Sequence, residues 1–158
     1  MPARRQRLTR VESALQRALH EVRTELELPQ EFPEDAVREA GRLREHPPKA
    51  EADLTEIPFV TIDPEGSTDL DQAVHFARAG DGFTVRYAIA DVPAFVEPGG
   101  AIDRVARERG QTLYAADGRI PLHPEALSED AASLLPDQHR SALVWEFELD
   151  QADRKSVV

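Results

Sequence analysis

The feature that most restricts the fold is the stretch Phe59-Val60-Thr61-Ile62-Asp63-Pro64-Glu65-Gly66-Ser67-Thr68-Asp69-Leu70-Asp71-Gln72-Ala73-Val74. Its first four residues are apolar or β-branched and predict a strand. Pro64, Gly66 and Ser67 are turn formers, and an apolar run resumes at Ala73. The pattern is strand, tight loop, strand, with Asp63, Asp69 and Asp71 at the ends and in the bend. Carboxylates brought together repel one another. A hard divalent cation with oxygen ligands offsets that repulsion, and Mg²⁺ is commonly held by one or two carboxylates plus substrate phosphate. The residues therefore read as a Mg²⁺ site for phosphodiester chemistry. A solvated turn is the alternative, because Asp, Pro, Gly and Ser also collect in loops for conformational reasons. The spacing does not fit an EF-hand loop, which requires a different run of acidic positions around its glycine.

Upstream of this stretch the chain reads as helix. Thr9 and Glu12 have capping-box spacing. Val11, Leu15, Leu19, Val22 and Leu26 recur at three- and four-residue steps, which is one face of a helix over residues 9–27. Pro29 stops it. Pro33-Glu34-Asp35 opens a second helix, with proline in its first turn and acids at the positive end of the dipole. Ala36, Val37, Ala40 and Leu43 form its apolar stripe, Pro47-Pro48 closes it, and residues 49–56 are a polar linker. Two roles compete for this region. It is either a small helix-turn-helix-like module with Arg4, Arg5, Arg7 and Arg10 on RNA phosphates, or a helical brace behind a frayed basic tail. The brace is favoured, because no recognition helix can be named.

Downstream, Ala79-Gly80-Asp81-Gly82 is a turn signal, so residues 73–78 and 83–89 are expected to pair as an antiparallel hairpin. Asp91 at the end of that hairpin reads as a strand-end cap, with a second role beside the acidic loop as the alternative. Gly99-Gly100 precedes a helix over residues 101–109, with Ile102, Val105 and Ala106 buried and Gly110 as its stop. Arg104, Arg107 and Arg109 are expected on its solvated face. Tyr114 is placed in a loop, and His123 is read as structural. Residues 142–149 alternate, with Leu143, Trp145, Phe147 and Leu149 on one side, which predicts a half-buried antiparallel strand. Its partner is expected to begin at Lys155.

The chain has 158 residues, enough for one domain with a core. It has no cysteine, which rules out a disulfide framework and a cysteine-based zinc site and fits a cytoplasmic protein. No apolar run is long enough for a transmembrane helix, and no apolar segment follows the N-terminal arginines as in a secretory signal. Net charge is −11, although the first 20 residues carry five arginines against Glu12 alone. An acidic body is a poor general binder of nucleic acid, whose phosphates are held by Lys and Arg.

Several motifs in order resemble the opening of the catalytic (RNB) domain of the ribonuclease II / ribonuclease R family. They are Val60-Thr61-Ile62-Asp63, Asp69-Leu70-Asp71-Gln72-Ala73-Val74, Ala88-Ile89-Ala90-Asp91-Val92, Ile102-Asp103, Ala106-Arg107-Glu108-Arg109-Gly110, Thr112-Leu113-Tyr114, Ile120-Pro121-Leu122-His123-Pro124, and Leu127-Ser128 through Ser133-Leu134. The resemblance covers about residues 51 to 158. It implies an α+β fold: an N-terminal helical region (1–57) before part of an RNB domain of antiparallel strands and short helices (58–158). The implied activity is Mg²⁺-dependent 3′→5′ hydrolysis of single-stranded RNA to nucleoside 5′-monophosphates, with Mn²⁺ as the alternative ion. Asp63, Asp69 and Asp71, with Gln72, are the implied metal ligands. One ion would activate a water and a second would stabilise the leaving 3′ oxygen. Tyr114 matches the tyrosine that stacks on a base near the RNA 3′ end, a contact every base permits. Two departures stand out. The family usually has Asp-Asp-Ala where this chain has Asp71-Gln72-Ala73, which replaces a carboxylate by a neutral amide. The family domain also runs to several hundred residues, so the chain is expected to be an N-terminal fragment. The alternative function is a non-catalytic RNA-binding or regulatory relic.

Overall fold

The computed structural model describes residues 11–150, with side chains from residue 14 onward. Arg4, Arg5, Arg7 and Arg10, and the strand expected from Lys155, lie outside the described residues. Helices α1 (Val11–Glu25) and α2 (Glu34–Glu45) fall where the apolar spacing and the prolines put them. Then come strands β1 (Gln72–Ala79) and β2 (Gly82–Ala90), a short helix α3 (Val92–Phe95) and helix α4 (Ala101–Arg109). The short strands β3 (Leu113–Ala115) and β4 (Gly118–Ile120), a π-helical turn (Leu127–Ala131) and strand β5 (Ala142–Leu149) complete the order. Helices and antiparallel strands together make an α+β fold.

The core lies among the helices. Ala36 and Ala40 of α2 are fully buried against a cluster that contains Phe95, Ile102, Val105, Leu127 and Ala131. Two alanines one turn apart bring the α2 backbone close to its neighbours, because nothing projects between them. The α2 helix therefore shares its core with the later part of the chain. A further tie is polar. The Ala101 N–H at the start of α4 donates to Glu39 Oε2 of α2 at 2.7 Å. This satisfies a helix-end donor that Gly100 has no side chain to reach. A Cβ at residue 100 would lie 2.9 Å from the Glu97 carbonyl oxygen, a backbone atom, as well as 2.7 Å from Glu39 Oε1, so the close approach favours glycine.

Not every arginine of α4 is on a solvated face. Arg109 lies over the Phe32 ring at 3.8 Å and donates to the carbonyls of Pro121 and Glu31. Burial lowers its pKa. Arg104 pairs with Asp35 and Arg107 with Asp103, as exposed ion pairs.

Strands β1, β2 and β5 form one antiparallel sheet in the order β1-β2-β5, and β3 and β4 form a separate hairpin. Gly80 (φ 57°) and Asp81 make the two-residue turn between β1 and β2, a position where glycine carries no side-chain penalty. The register puts Val74, Tyr87 and Trp145 on one face, together with Phe76, Val85 and Phe147. Two expectations need correction. Residues 59–62 do not form a strand: only Val60 pairs, by an isolated antiparallel bridge to Val74. Ile62 is exposed, so β-propensity there meets no packing partner to fix it. Strand β5 is present, but its apolar side is not buried as alternation suggests. Leu143 and Trp145 are exposed, and the buried sheet residues are the small Ala73, Ala88 and Ala90 on the opposite face.

Candidate active site

The acidic loop is shaped by its backbone. Val60 and Val74 exchange hydrogen bonds at 2.9 and 2.8 Å, which closes the loop at its base. Within it the Ser67 N–H donates to the Pro64 carbonyl at 3.1 Å across a turn in which Gly66 has φ 85°. That conformation suits glycine at the third position of a type II turn. Leu70 is buried and anchors the far limb. Ser133, only 1% exposed, clasps that limb: its hydroxyl accepts from the Leu70 N–H at 2.8 Å and donates to the Thr68 carbonyl at 2.7 Å. The Leu134 N–H adds a bond to the Leu70 carbonyl, and the Ala90 N–H one to the Asp71 carbonyl. Arg140 steadies the clasp by donating to the Ser133 carbonyl.

With the backbone fixed in this way, Asp63, Asp69, Asp71 and Gln72 line one cavity of about 260 Å³, together with Ile62 and Tyr87. Partial burial raises the pKa of Asp71, and the charges of Asp69 and Asp63 raise it further, while Arg119 opposes the shift. The three carboxylates predicted from sequence are thus brought within electrostatic reach of one another. They do not close into a finished metal site. Among the described residues no three His, Cys, Asp or Glu side chains converge as a metal-binding group. Asp69 is held in an ion pair of its own, its Oδ2 accepting from Arg119 Nη1 at 2.5 Å. The other arm of Arg119 bonds Glu129, and Glu129 Oε2 accepts from Thr68 Oγ1 at 2.7 Å. Gln72 accepts at Oε1 from the Tyr87 hydroxyl.

The donor set nevertheless fits a hard divalent cation. It consists of carboxylate and amide oxygens around one cavity, and Asp71 carries a repulsion that such a cation relieves.

Tyr114 lies on strand β3 rather than in a loop, and it is 77% exposed. Its partner across the β3–β4 hairpin is Arg119, so the two side chains share a face. The hairpin therefore sets an exposed aromatic ring beside the arginine that reaches the acidic loop. Asp91 caps α3, accepting from the Ala94 N–H at 3.2 Å, and its other oxygen accepts from Ser141. His123 is part-buried, and burial lowers its pKa. Arg119, Glu129, Ser133 and Tyr87 are the site residues that sequence reasoning gave no role. Ser133 lay inside a recognised motif, whereas Arg119 reaches Asp69 from 50 positions along the chain and leaves no local signal.

Residues 51–156 match the family model described as the RNB domain. The chain belongs to the RNB family. It is 36% identical over 133 residues to a ribonuclease R of Acidithiobacillus ferrooxidans, covering 82% of this chain and 30% of that protein. It is 44% identical over 92 residues to an exoribonuclease 2 of Vibrio cholerae, covering 58% of this chain and 14% of the relative. Among solved structures, Mycoplasma genitalium RNase R in complex with ribose-methylated single-stranded RNA superposes with a TM-score of 0.70 at 32% identity. That match covers 78% of this chain and 20% of the other. The chain thus spans less than a third of the length of these relatives. Among its described residues, no helix is long and apolar enough to cross a membrane.

Proposed function

We propose that this chain carries the acidic loop of an exoribonuclease that shortens single-stranded RNA from its 3′ end and releases nucleoside 5′-monophosphates. One observation carries the reading: Asp63, Asp69, Asp71 and Gln72 line a single cavity inside the stretch that matches the RNB domain. Asp63 and Asp71, with Asp69 once it is released from Arg119, offer carboxylate oxygens to Mg²⁺, and Gln72 offers an amide carbonyl. A divalent cation held there would supply polarisation of the phosphodiester and a coordinated water of lowered pKa. The chain's own contributions are positional. Ser133 and Leu134 hold the backbone that carries Asp69 and Asp71. Tyr114 presents a free ring face on which a base can stack without sequence preference. Among the described residues most arginines are paired with carboxylates, including Arg23, Arg44, Arg86 and Arg140, so within these residues binding of RNA would rest on the loop and on Tyr114 more than on a basic surface.

A second reading is a non-catalytic RNA-binding role, favoured by the amide at residue 72, whose carbonyl is engaged by Tyr87. A 5′-labelled single-stranded RNA incubated with the chain and Mg²⁺, beside Asp71→Asn and a metal-free control, decides between them. A ladder that shortens from the 3′ end in the wild type alone supports the enzyme. Retention of the RNA on a gel without shortening supports the binding role.

A further inference from the structure

Arg119 does something in this fold that the proposed chemistry does not call for. A site meant to gather carboxylates around a cation contains a resident cation of its own. The guanidinium sits on β4, gives one nitrogen to Asp69 Oδ2 at 2.5 Å and another to Glu129 Oε1. Glu129, on the π-helical turn, is fixed in turn by the Thr68 hydroxyl, one residue before Asp69. The four residues form a closed chain of contacts: loop, hairpin, π-turn and back to the loop. All three ionised side chains are partly screened from solvent. A forked guanidinium that spans two carboxylates is a specific geometry that lysine does not reproduce. Asp69 thus lines the cavity with Asp63 and Asp71 while one of its oxygens is held by the guanidinium.

Resting on the metal-site reading above, we infer that Arg119 is a positioning residue that holds Asp69 in an ion pair which a divalent cation must displace, with Glu129 as the group that receives the guanidinium when Asp69 lets go. The bound cation and Arg119 then compete for one carboxylate, and two positive groups near each other repel. Removing Arg119 should tighten metal binding. Removing the charge of Glu129 should weaken it, because the guanidinium then has Asp69 as its sole carboxylate partner in this chain of contacts. Opposite signs from two neighbouring residues distinguish this arrangement from ordinary structural damage, which would weaken binding in both.

The test is direct binding of Mn²⁺ to the full 158-residue chain, followed by the loss of the free-ion electron paramagnetic resonance signal, with Mg²⁺ competition to read the Mg²⁺ affinity. We expect Arg119→Gln to bind about tenfold more tightly than the wild type, Glu129→Gln to bind more weakly, and Arg119→Lys to fall between Arg119→Gln and the wild type. Arg86→Gln changes net charge by the same amount on the sheet, where Arg86 pairs with Glu146, and is expected to leave affinity unchanged. Circular dichroism melts of each variant identify any that fail to fold. For a misfolded Arg119→Gln, Arg119→Met serves in its place. Equal or weaker binding by the folded Arg119 variant, or equal tightening by Arg86→Gln, overturns the inference while leaving the metal site standing. Failure of the wild type and of every variant to bind Mn²⁺ overturns both.

Discussion

In the helical layer, Ala36, Ala40, Ile102 and Leu127 are all at 1% exposure or less, whereas in the sheet Phe76, Leu143 and Trp145 are at least half exposed. Composition does not explain the difference between the two regions, since the strands are the more apolar in sequence. They differ in what lies opposite. Two small residues on α2 let α4 and the π-helical turn pack closely, so the large side chains there find neighbours. The large side chains of the sheet project from one face, on which Leu143 and Trp145 meet solvent, and only its alanines are enclosed. The acidic loop belongs to the first region more than to the second. Leu70 and Ser133 tie it to the segment that follows the π-turn, so the backbone of the site is held where packing is tight.

Breaking the tight region should cost most. Leu127→Ala is expected to destabilise the chain by about 2–5 kcal/mol, through lost burial plus the cavity left behind. Chemical denaturation measures it, and a loss no larger than that of a sheet mutant would erase the contrast. Ser133→Ala comes next, at about 1–3 kcal/mol, because a buried N–H and a buried carbonyl lose their shared partner. That variant should also lose metal affinity more than stability predicts, since it frees the limb that carries Asp69 and Asp71.

Asp71→Asn works in the opposite direction. Folding raises the Asp71 pKa, mainly by burial and then through Asp69 and Asp63, so the ionised form is disfavoured in the native state. The native state then binds more protons than the unfolded one, and stability falls as pH rises from the ordinary value of 3.8 through the raised one. Asp71→Asn should therefore melt above the wild type at neutral pH, by less than about 1 kcal/mol because solvent screens a partly open group. The difference should vanish in acid. A variant less stable than the wild type at both pH values would show that Asp71 is structurally satisfied. Smallest of all, Trp145→Ser should change stability by no more than about 0.5 kcal/mol, as is usual for exposed positions away from special features. A loss of several kcal/mol there would mean that the sheet face is packed in solution.

Much of the local architecture was legible. The helices α1, α2 and α4 follow from apolar spacing bounded by proline and glycine, and the β1–β2 hairpin follows from Gly80-Asp81. These are short-range effects of sterics and backbone conformation, which a few adjacent residues specify. That Asp63, Asp69 and Asp71 come together was legible too, because carboxylates clustered in one loop carry their own electrostatic signature. The strand expected at residues 59–62 was not made, since a strand is stabilised by the chain it pairs with and only Val60 found one.

The sequence by itself determined which residues carry negative charge around the loop and which segments are helix or hairpin, since both depend on interactions among near neighbours. Only the tertiary structure decided where those charges are balanced. Arg119, Glu129 and Ser133 reach the loop across 50 to 65 positions of chain, and alternation alone could not show which face of the sheet would be enclosed. Contacts of that span depend on how helices, hairpin and π-turn pack, and packing is a property of the whole fold.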